Sequence, residues 1–205
     1  MRLVLLRHGQ TVWNAEHRFQ GQSDIPLDET GEAQAERVGR LLAALRPDVI
    51  VSSDLRRATA TAAPLSRLTG LPVTLDKDLR ERFGGAWEGL TDTEINERYP
   101  RERASWTPPD GESAAAVADR VHAGLRRVAD ALTELDDGGL AVIVSHGAAI
   151  RLGMERMLGI PEESAGVLGP LSNCCWSVLG RRGPRWRILE HNAGTLPEPV
   201  LGDDR

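Results

Sequence analysis

Two histidines in matching local contexts are the residues around which chemistry could be built. His8 and His146 each follow a short apolar run, over residues 3–6 and 141–144, and each is followed directly by glycine. Imidazole is partly neutral at pH 7, so it can serve as a nucleophile, an acid or a base. Because ligands of open α/β sheets bind outside the carboxyl ends of the strands, the two rings would meet in one cleft if their strands are neighbours.

Arginines near these strand ends indicate what the cleft would bind. Arg7 precedes His8, and Arg56 and Arg57 begin a predicted helix shortly after the apolar run 49–51. Helix N-termini attract anions, and guanidinium groups bind phosphate oxygens through paired hydrogen bonds. Two histidines with converging arginines therefore predict a site for a phosphate dianion, where one imidazole attacks phosphorus.

The leaving oxygen of a phosphoryl transfer also needs a proton, and Glu81 is the candidate donor. Glu81 follows a predicted strand over residues 73–75 and opens a segment, about 81–112, that is rich in glycine, proline and aromatic residues. Such a segment is typical of an insertion over a pocket. The alternative for Glu81 is a surface carboxylate paired with Arg80 or Arg82.

A pair of histidines also raises the alternative of a metal site. One guanidinium about 5 Å from a divalent cation opposes it by roughly 6 to 7 kcal/mol at an effective dielectric constant of about 20, and two arginines roughly double that cost. The sequence holds no His-Glu-x-x-His motif, no paired cysteine spacing and no Gly-x-x-x-x-Gly-Lys phosphate loop. We therefore expect neither a metal ion nor an organic cofactor.

The elements that must position these residues alternate along the chain. Continuous apolar runs at 3–6, 49–51 and 141–144 are typical of strands buried on both faces. Helical spacing of apolar residues lies between them, with Asp28 and Ser113 as candidate N-caps. Buried strands that alternate with helices predict an α/β fold, a three-layer α/β/α sandwich with a mostly parallel central sheet.

Two further predictions concern the remaining elements. A helix is predicted over residues 55–68, and Pro64 is expected to kink or split it. Residues 174–179 and 186–189 form a late hairpin around the turn-forming stretch 180–184. Apolar residues exposed in this hairpin would favour a homodimer.

Length, charge and cysteine content bound the class of protein. The chain has 205 residues, a net charge of −5 and an isoelectric point near 5.6. It fits one domain, over residues 1–192, followed by a loosely ordered tail at 193–205. The acidic balance disfavours nucleic acid and anionic membranes as partners. We expect a cytoplasmic protein, because no apolar run approaches a membrane span and the adjacent Cys174 and Cys175 cannot staple a scaffold.

Five motifs follow one another along most of residues 3–180, on the elements that the apolar pattern predicts. They are Arg7-His8-Gly9-Gln10-Thr11, the stretch from Ser52-Ser53 to Arg57-Ala58, Leu79-Arg80-Glu81, Trp87-Glu88-Gly89-Leu90-Thr91 and Ser145-His146-Gly147. Together they resemble the histidine phosphatase superfamily, which includes the phosphoglycerate mutases. The insertion after Glu81 is short and looks like that of the phosphatase branch, whereas mutases resemble one another in a longer, more basic one.

The resemblance implies a covalent mechanism, without a metal, on a small phosphorylated metabolite. His8 would be the phosphorylated nucleophile, and Glu81 would protonate the leaving oxygen and later help to activate water. The family pattern places the pocket arginine directly before alanine, which selects Arg57 over Arg56. The implied contacts to phosphate and substrate are Arg7, Asn14, Gln20, Gly21, Arg57, His146 and Gly147.

The implied reaction is hydrolysis of a sugar phosphate or a phosphoglycerate-type monoester. A mutase that moves phosphate between carbons of phosphoglycerate and a phosphate-binding module without turnover are the alternatives. One departure from the family pattern is Cys174-Cys175. Related sequences often carry a small residue and a hydroxyl there, so this chain lacks that hydroxyl.

Overall fold

The structure, a computed structural model, describes residues 1–135, 139–164 and 166–194, and its central feature is a six-stranded sheet. The strands are β1 (Arg2–Arg7), β2 (Val49–Ser52), β3 (Val73–Leu75), β4 (Leu140–Ser145), β5 (Trp176–Arg182) and β6 (Arg185–Ala193). They lie in the order β3-β2-β4-β1-β5-β6. The first four are parallel, and β5 and β6 join as an antiparallel hairpin. The prediction of a mostly parallel sheet is confirmed.

Helices connect the strands and begin at side chains that cap them. They are α1 (Val12–Ala15), α2 (Glu29–Ala43), α3 (Arg56–Thr69), α4 (Asp92–Arg98), α5 (Pro100–Ala104), α6 (Ala114–Leu132) and α7 (Gly147–Leu158). Asp28 accepts a hydrogen bond from Gly31 N, and Ser113 accepts one from Ala116 N, so both predicted N-caps are confirmed. The short helices α4 and α5 lie in the insertion.

The core lies on both faces of the sheet, as alternation along β1 requires. Leu3 and Leu5 pack with apolar residues of α6 and α7, whereas Val4 and Leu6 pack with those of α2 and α3. All four side chains are almost fully buried, and each such burial stabilises the fold by roughly 1.5–3 kcal/mol. The result is the predicted α/β/α sandwich, with a rigid sheet holding the strand ends in place.

The expectation that Pro64 splits its helix is wrong, because α3 runs from Arg56 to Thr69 without a break. Tight packing between α2 and α3 accounts for this. A Cβ added to Gly39 of α2 would lie 2.9 Å from the Cβ of Pro64, so the two backbones approach closely at this point. Burial of Pro64 in that contact offsets the helical hydrogen bond that proline cannot donate.

The late hairpin is present, with longer strands than the apolar pattern indicates. β5 begins at Trp176, after the two cysteines, and β6 ends at Ala193. Most of the predicted tail, residues 195–205, lies outside the described residues. None of the helices in the described part of the chain is long and apolar enough to cross a membrane.

Candidate active site

The two histidines of the sequence motifs are neighbours in space. β1 and β4 pair in parallel with Arg7 opposite Ser145, so His8 and His146 leave the sheet side by side. Their ring centroids are 5.1 Å apart, with the planes inclined at 57°. Both side chains are buried, His8 with 3% of its surface exposed and His146 with none. The two imidazoles therefore meet at the carboxyl ends of their strands, as expected, and both are buried.

A backbone contact defines the protonation of the His8 ring. Nδ1 of His8 lies 2.7 Å from the carbonyl oxygen of Gly9, and because a carbonyl only accepts, Nδ1 carries the hydrogen. The lone pair is then on Nε2. Burial, and after it the charges of Arg57 and Arg7, lowers the pKa of His8 well below its ordinary value. His8 is thus a neutral imidazole at pH 7, with one nitrogen ready to act as a nucleophile.

His146 occupies the N-cap position of α7 and has a different set of ring contacts. Its Nε2 lies 2.9 Å from Oγ of Ser53, just beyond the end of β2. Its Nδ1 is buried and has no hydrogen-bond partner among the described residues. Burial, followed by the charges of Arg57 and His8, lowers the pKa of His146 well below its ordinary value. The His146 ring therefore keeps one polar atom, Nδ1, that no described residue satisfies.

Arg57 is a fully buried cation held by backbone carbonyls. Its Nη1 donates to the carbonyl of Ser23 at 2.8 Å and its Nη2 to that of Gly21 at 2.7 Å. Burial lowers the pKa of Arg57 to about 10, and Glu81 and Asp24 are the main charges that oppose this shift. Its Nε is buried without a hydrogen-bond partner among the described residues. A buried guanidinium with a free donor favours an anion as its missing partner.

The loop that holds Arg57 is itself held by Glu88. Oε1 of Glu88 accepts from the backbone N–H groups of Gln22 and Gly84, at 2.8 and 2.9 Å. Oε2 accepts from the backbone and the hydroxyl of Ser23, at 2.9 and 2.6 Å. Gly21 has φ +53°, and a Cβ there would lie 2.1 Å from Oε1 of Glu88. The sequence analysis named Glu88 only as part of a motif and did not predict that it holds this loop. The available signal was its position beside glycines in a short insertion.

Arg7, of the first motif, and Asn14, three residues after that motif, lie near His8. Arg7 is buried and donates to the carbonyl of Leu171, and a Cβ added to Gly147 would lie 3.6 Å from its Nε. Oδ1 of Asn14 accepts from Oγ1 of Thr11 at 3.1 Å and from the amide of Asn173 at 3.2 Å. These contacts occupy the carbonyl end of the Asn14 side chain and leave its NH2 group available to donate to a ligand.

Glu81 lies against the N-terminus of α7. Its Oε1 accepts from Ala149 N at 3.0 Å and Arg82 N at 2.8 Å, and its Oε2 accepts from Ala148 N at 3.2 Å. Since Ala148 and Ala149 lie within three residues of His146, the carboxylate shares a helix end with that ring. Arg80 instead pairs with Asp54 at 2.6 Å, so the surface pairing considered for Glu81 is not formed with Arg80.

Arg120 of α6 fixes the backbone that carries Glu81. Its Nη2 donates to the carbonyl of Glu81 at 2.9 Å and to Oε2 of Glu112 at 2.8 Å. Its Nη1 donates to the carbonyl of Arg80 at 2.6 Å. Sequence reasoning missed this contact, because an arginine on the polar face of a helix gives no signal of its target.

Two further positions that the sequence analysis named are Gln20 and Cys174. Gln20 is buried, and its Oε1 has no hydrogen-bond partner among the described residues. Cys174 approaches the site through its backbone, because its N–H lies 3.1 Å from the carbonyl of Arg7 and 3.2 Å from that of His8. Because the backbone makes this contact, it is kept although cysteine at this position departs from the family pattern.

Aromatic packing supports the insertion from outside the site. Trp87 is fully buried, and its ring centroid is 5.2 Å from that of Trp106 and 5.8 Å from that of Phe19.

Across the described residues, no three histidine, cysteine, aspartate or glutamate side chains are grouped as metal ligands would be.

Comparison with known proteins identifies the family. A family model of the histidine phosphatase superfamily (branch 1) matches residues 3–194. A glucosyl-3-phosphoglycerate phosphatase of Mycolicibacterium vanbaalenii is 42% identical, over 94% of each chain. A probable phosphoglycerate mutase GpmB of Salmonella arizonae is 37% identical, over 91% of this chain and 87% of the relative.

Solved structures agree with this assignment. A mycobacterial glucosyl-3-phosphoglycerate phosphatase complexed with VO3 matches with a TM-score of 0.89 and 38% identity, covering 94% of this chain and 99% of that one. The fold is therefore phosphoglycerate mutase-like, and the family and its phosphatase members support a phosphoric monoester hydrolase. From the family model and these relatives, the protein belongs to branch 1 of the histidine phosphatase superfamily.

Proposed function

We propose that the protein hydrolyses a small sugar phosphate or phosphoglycerate-type monoester through a phosphohistidine on Nε2 of His8. The observation that carries this proposal is the bond between Nδ1 of His8 and the carbonyl of Gly9, 2.7 Å long. It puts the lone pair on Nε2, in a ring whose centroid is 5.1 Å from that of His146. The lowered pKa of His8 supports a ring that is neutral and nucleophilic at pH 7.

In the first step, Nε2 of His8 forms a bond to phosphorus and the bond from phosphorus to the leaving oxygen breaks. Glu81 gives its proton to that oxygen, so the product leaves as an alcohol. The three other phosphoryl oxygens bind Arg7, Arg57, His146 and the NH2 group of Asn14. These donors neutralise the charge that phosphoryl transfer spreads over the oxygens.

In the second step, water replaces the departed product. The Glu81 carboxylate takes one proton from the water while its oxygen bonds to phosphorus, and the bond from phosphorus to Nε2 breaks. His8 returns to the neutral ring, Glu81 is again protonated, and inorganic phosphate is released. The backbone N–H groups of Ala148 and Ala149, at 3.2 and 3.0 Å, keep the Glu81 carboxyl group in one place through both steps.

The relatives favour a substrate class. Glucosyl-3-phosphoglycerate phosphatases of 42% and 39% identity cover 94% of this chain, which supports a phosphorylated sugar acid as the substrate. A structural relative was solved with VO3, an anion that can stand in for a phosphoryl group. Gln20 is buried, and its Oε1, which has no partner among the described residues, is suited to accept a hydrogen bond from a hydroxyl of such a substrate.

A trapping experiment tests the covalent step. Brief incubation with a 32P-labelled substrate and an alkaline denaturing quench should leave label on the protein that is stable to alkali and lost in acid. His8→Ala should abolish the label, and His17→Ala, at an exposed histidine, should keep it. An active enzyme that forms no such label contradicts the proposal. Turnover should also persist in EDTA.

A substrate panel then separates the alternatives. Sugar phosphates, phosphoglycerates and glucosyl-3-phosphoglycerate are compared for release of free phosphate. Transfer of label between carbons of phosphoglycerate, without free phosphate, would establish the mutase activity that the 37% identical relative suggests. Binding of these compounds without any turnover would establish a phosphate-binding module instead.

A further inference from the structure

We propose that Ser53 is a positioning residue that holds the proton of the His146 ring on Nδ1. In this arrangement the Ser53 hydroxyl donates to Nε2 of His146, and the neutral ring offers an N–H donor to a phosphoryl oxygen. The role in phosphate binding rests on the proposed function, whereas the position of the proton can be measured without any substrate.

The contacts of Ser53 define the direction of its hydrogen bond. Its side chain is fully buried, and its backbone N–H donates to the carbonyl of Val144 at 2.9 Å, which ties it to the end of β4. Its Oγ accepts from Leu55 N at 3.4 Å. The hydroxyl hydrogen then needs an acceptor, and among the described residues Nε2 of His146, 2.9 Å away, is the acceptor within reach.

The other neutral tautomer leaves more polar atoms unsatisfied. With the hydrogen on Nε2, the Ser53 hydroxyl would lose its acceptor, and Nδ1 would be a buried lone pair without a donor. That lone pair would also repel a phosphoryl oxygen. With the hydrogen on Nδ1, a single donor remains unpaired, and an anion between the two histidines would satisfy it.

The positively charged ring is disfavoured for a separate reason. Arg57, His8 and Arg7 all act on His146 in the direction that lowers its pKa, and burial is the largest contribution. A neutral ring can donate through Nδ1 only if a neighbour fixes its tautomer. Ser53 supplies that neighbour from the position directly after β2, which pairs with β4 in the sheet.

Nuclear magnetic resonance of the ring nitrogens tests the proposal directly. In the wild-type protein labelled with 15N-histidine, Nδ1 of His146 should carry the hydrogen and Nε2 should show the shift of an unprotonated nitrogen. Ser53→Ala should move the ring toward the Nε2–H tautomer or a mixture. A wild-type signal of the Nε2–H form, or an unchanged Nδ1–H form in Ser53→Ala, would overturn the proposal. The wild-type measurement stands even if the variant fails to fold.

Ser52, the last residue of β2 and the neighbour of Ser53, supplies a matched control. It is also fully buried, but its hydroxyl donates to the carbonyl of Ser53 at 2.8 Å rather than to the ring. Ser52→Ala should leave the His146 signals unchanged.

Kinetics provide the second readout. Ser53→Ala should lower kcat/KM by about 10-fold to 100-fold, less than the roughly 100-fold to 1,000-fold loss expected when a donor to the reacting oxygens is removed. Ser53→Thr should restore most of the activity, because it keeps the hydroxyl. If the tautomer is as proposed but no phosphohistidine forms, the proposed mechanism fails while the assignment of the proton stands.

Discussion

Arg57 and Glu88 bind the same loop, one through its carbonyl oxygens and the other through its N–H groups. Arg57 donates to the carbonyls of Gly21 and Ser23, and Glu88 accepts from the backbone of Gln22 and Ser23. Burial lowers the pKa of Arg57, and the negative charge of Glu88 opposes that shift and so partly compensates the buried positive charge. The position of the guanidinium therefore depends on a carboxylate in the insertion.

Glu88→Ala should weaken the binding of inorganic phosphate, because the loop loses three hydrogen bonds, the insertion loses the one from Gly84 N, and Arg57 loses its fixed orientation. In a double-mutant cycle with Arg57→Ala, the two losses should be non-additive, with a coupling free energy of about 0.5–3 kcal/mol. Isothermal titration with phosphate measures each affinity. Additive losses would show that Glu88 acts independently of Arg57.

Glu94 provides the control for this cycle. It caps α4 within the same insertion through bonds with Thr91, and it does not contact the loop of Gly21. Glu94→Ala should lower thermal stability and leave the phosphate affinity close to that of the wild type.

Gly21→Ala should lower both stability and phosphate affinity. Its φ of +53° strains any other residue by about 1–2 kcal/mol, and the added Cβ would meet Oε1 of Glu88 at 2.1 Å. Gly70→Ala is the matched control, because Gly70 has φ +74° and nothing lies within 4 Å of the added Cβ. We expect Gly70→Ala to lose stability alone. Equal phosphate affinities in the two variants would show that Gly21 does not contribute to phosphate binding.

Glu81→Gln should slow turnover according to the leaving group. An alkyl phosphate needs a proton on its departing oxygen, so its hydrolysis should fall by about 100-fold or more. A nitrophenyl phosphate leaves readily as an anion, so its phosphorylation step should change little. The measurement is single-turnover release of the alcohol or phenol. Equal slowing of both esters would exclude Glu81 as the acid.

The buried histidines should make stability depend on pH. The pKa values of His8 and His146 are lowered in the folded protein. When the pH falls below the ordinary histidine pKa near 6.5, the unfolded chain therefore binds protons that the folded chain does not bind. The contribution of the two histidines to the free energy of unfolding is fully present above about pH 6.5. It is lost as the pH falls towards the lowered pKa values, by at most about 1.4 kcal/mol per pH unit for each histidine. His146→Gln should flatten this decline between pH 6.5 and 5 in chemical denaturation.

Much of the fold could be predicted from the sequence because its signals are local. The apolar runs of β1, β2 and β4, the caps Asp28 and Ser113, and the late hairpin are each legible in a few adjacent residues. The resemblance of the five motifs to the histidine phosphatase superfamily is confirmed by the family model and by the relatives. Of the kink or split expected at Pro64, the split is wrong, and the contact with Gly39 that compensates for proline comes from another helix.

The contacts that orient the site residues could not be predicted in this way. Ser53 and Glu88 act on side chains far away in the sequence, and serine and glutamate have many other uses on a protein surface. Their roles depend on which hydrogen bonds remain unsatisfied after folding, as the buried Nδ1 of His146 and Nε of Arg57 illustrate. The roles proposed for His8, Glu81 and the phosphate-binding residues stay predictions that the experiments above test.

The order of the strands has a consequence for synthesis on the ribosome. β4 lies between β1 and β2 in the sheet, although it is made after both of them. Until Leu140–Ser145 has emerged from the exit tunnel, the two earlier strands have a gap where their shared neighbour belongs. The nascent chain therefore brings His8 and His146 together only late in translation, and an mRNA truncated before that point encodes a fragment without the proposed site.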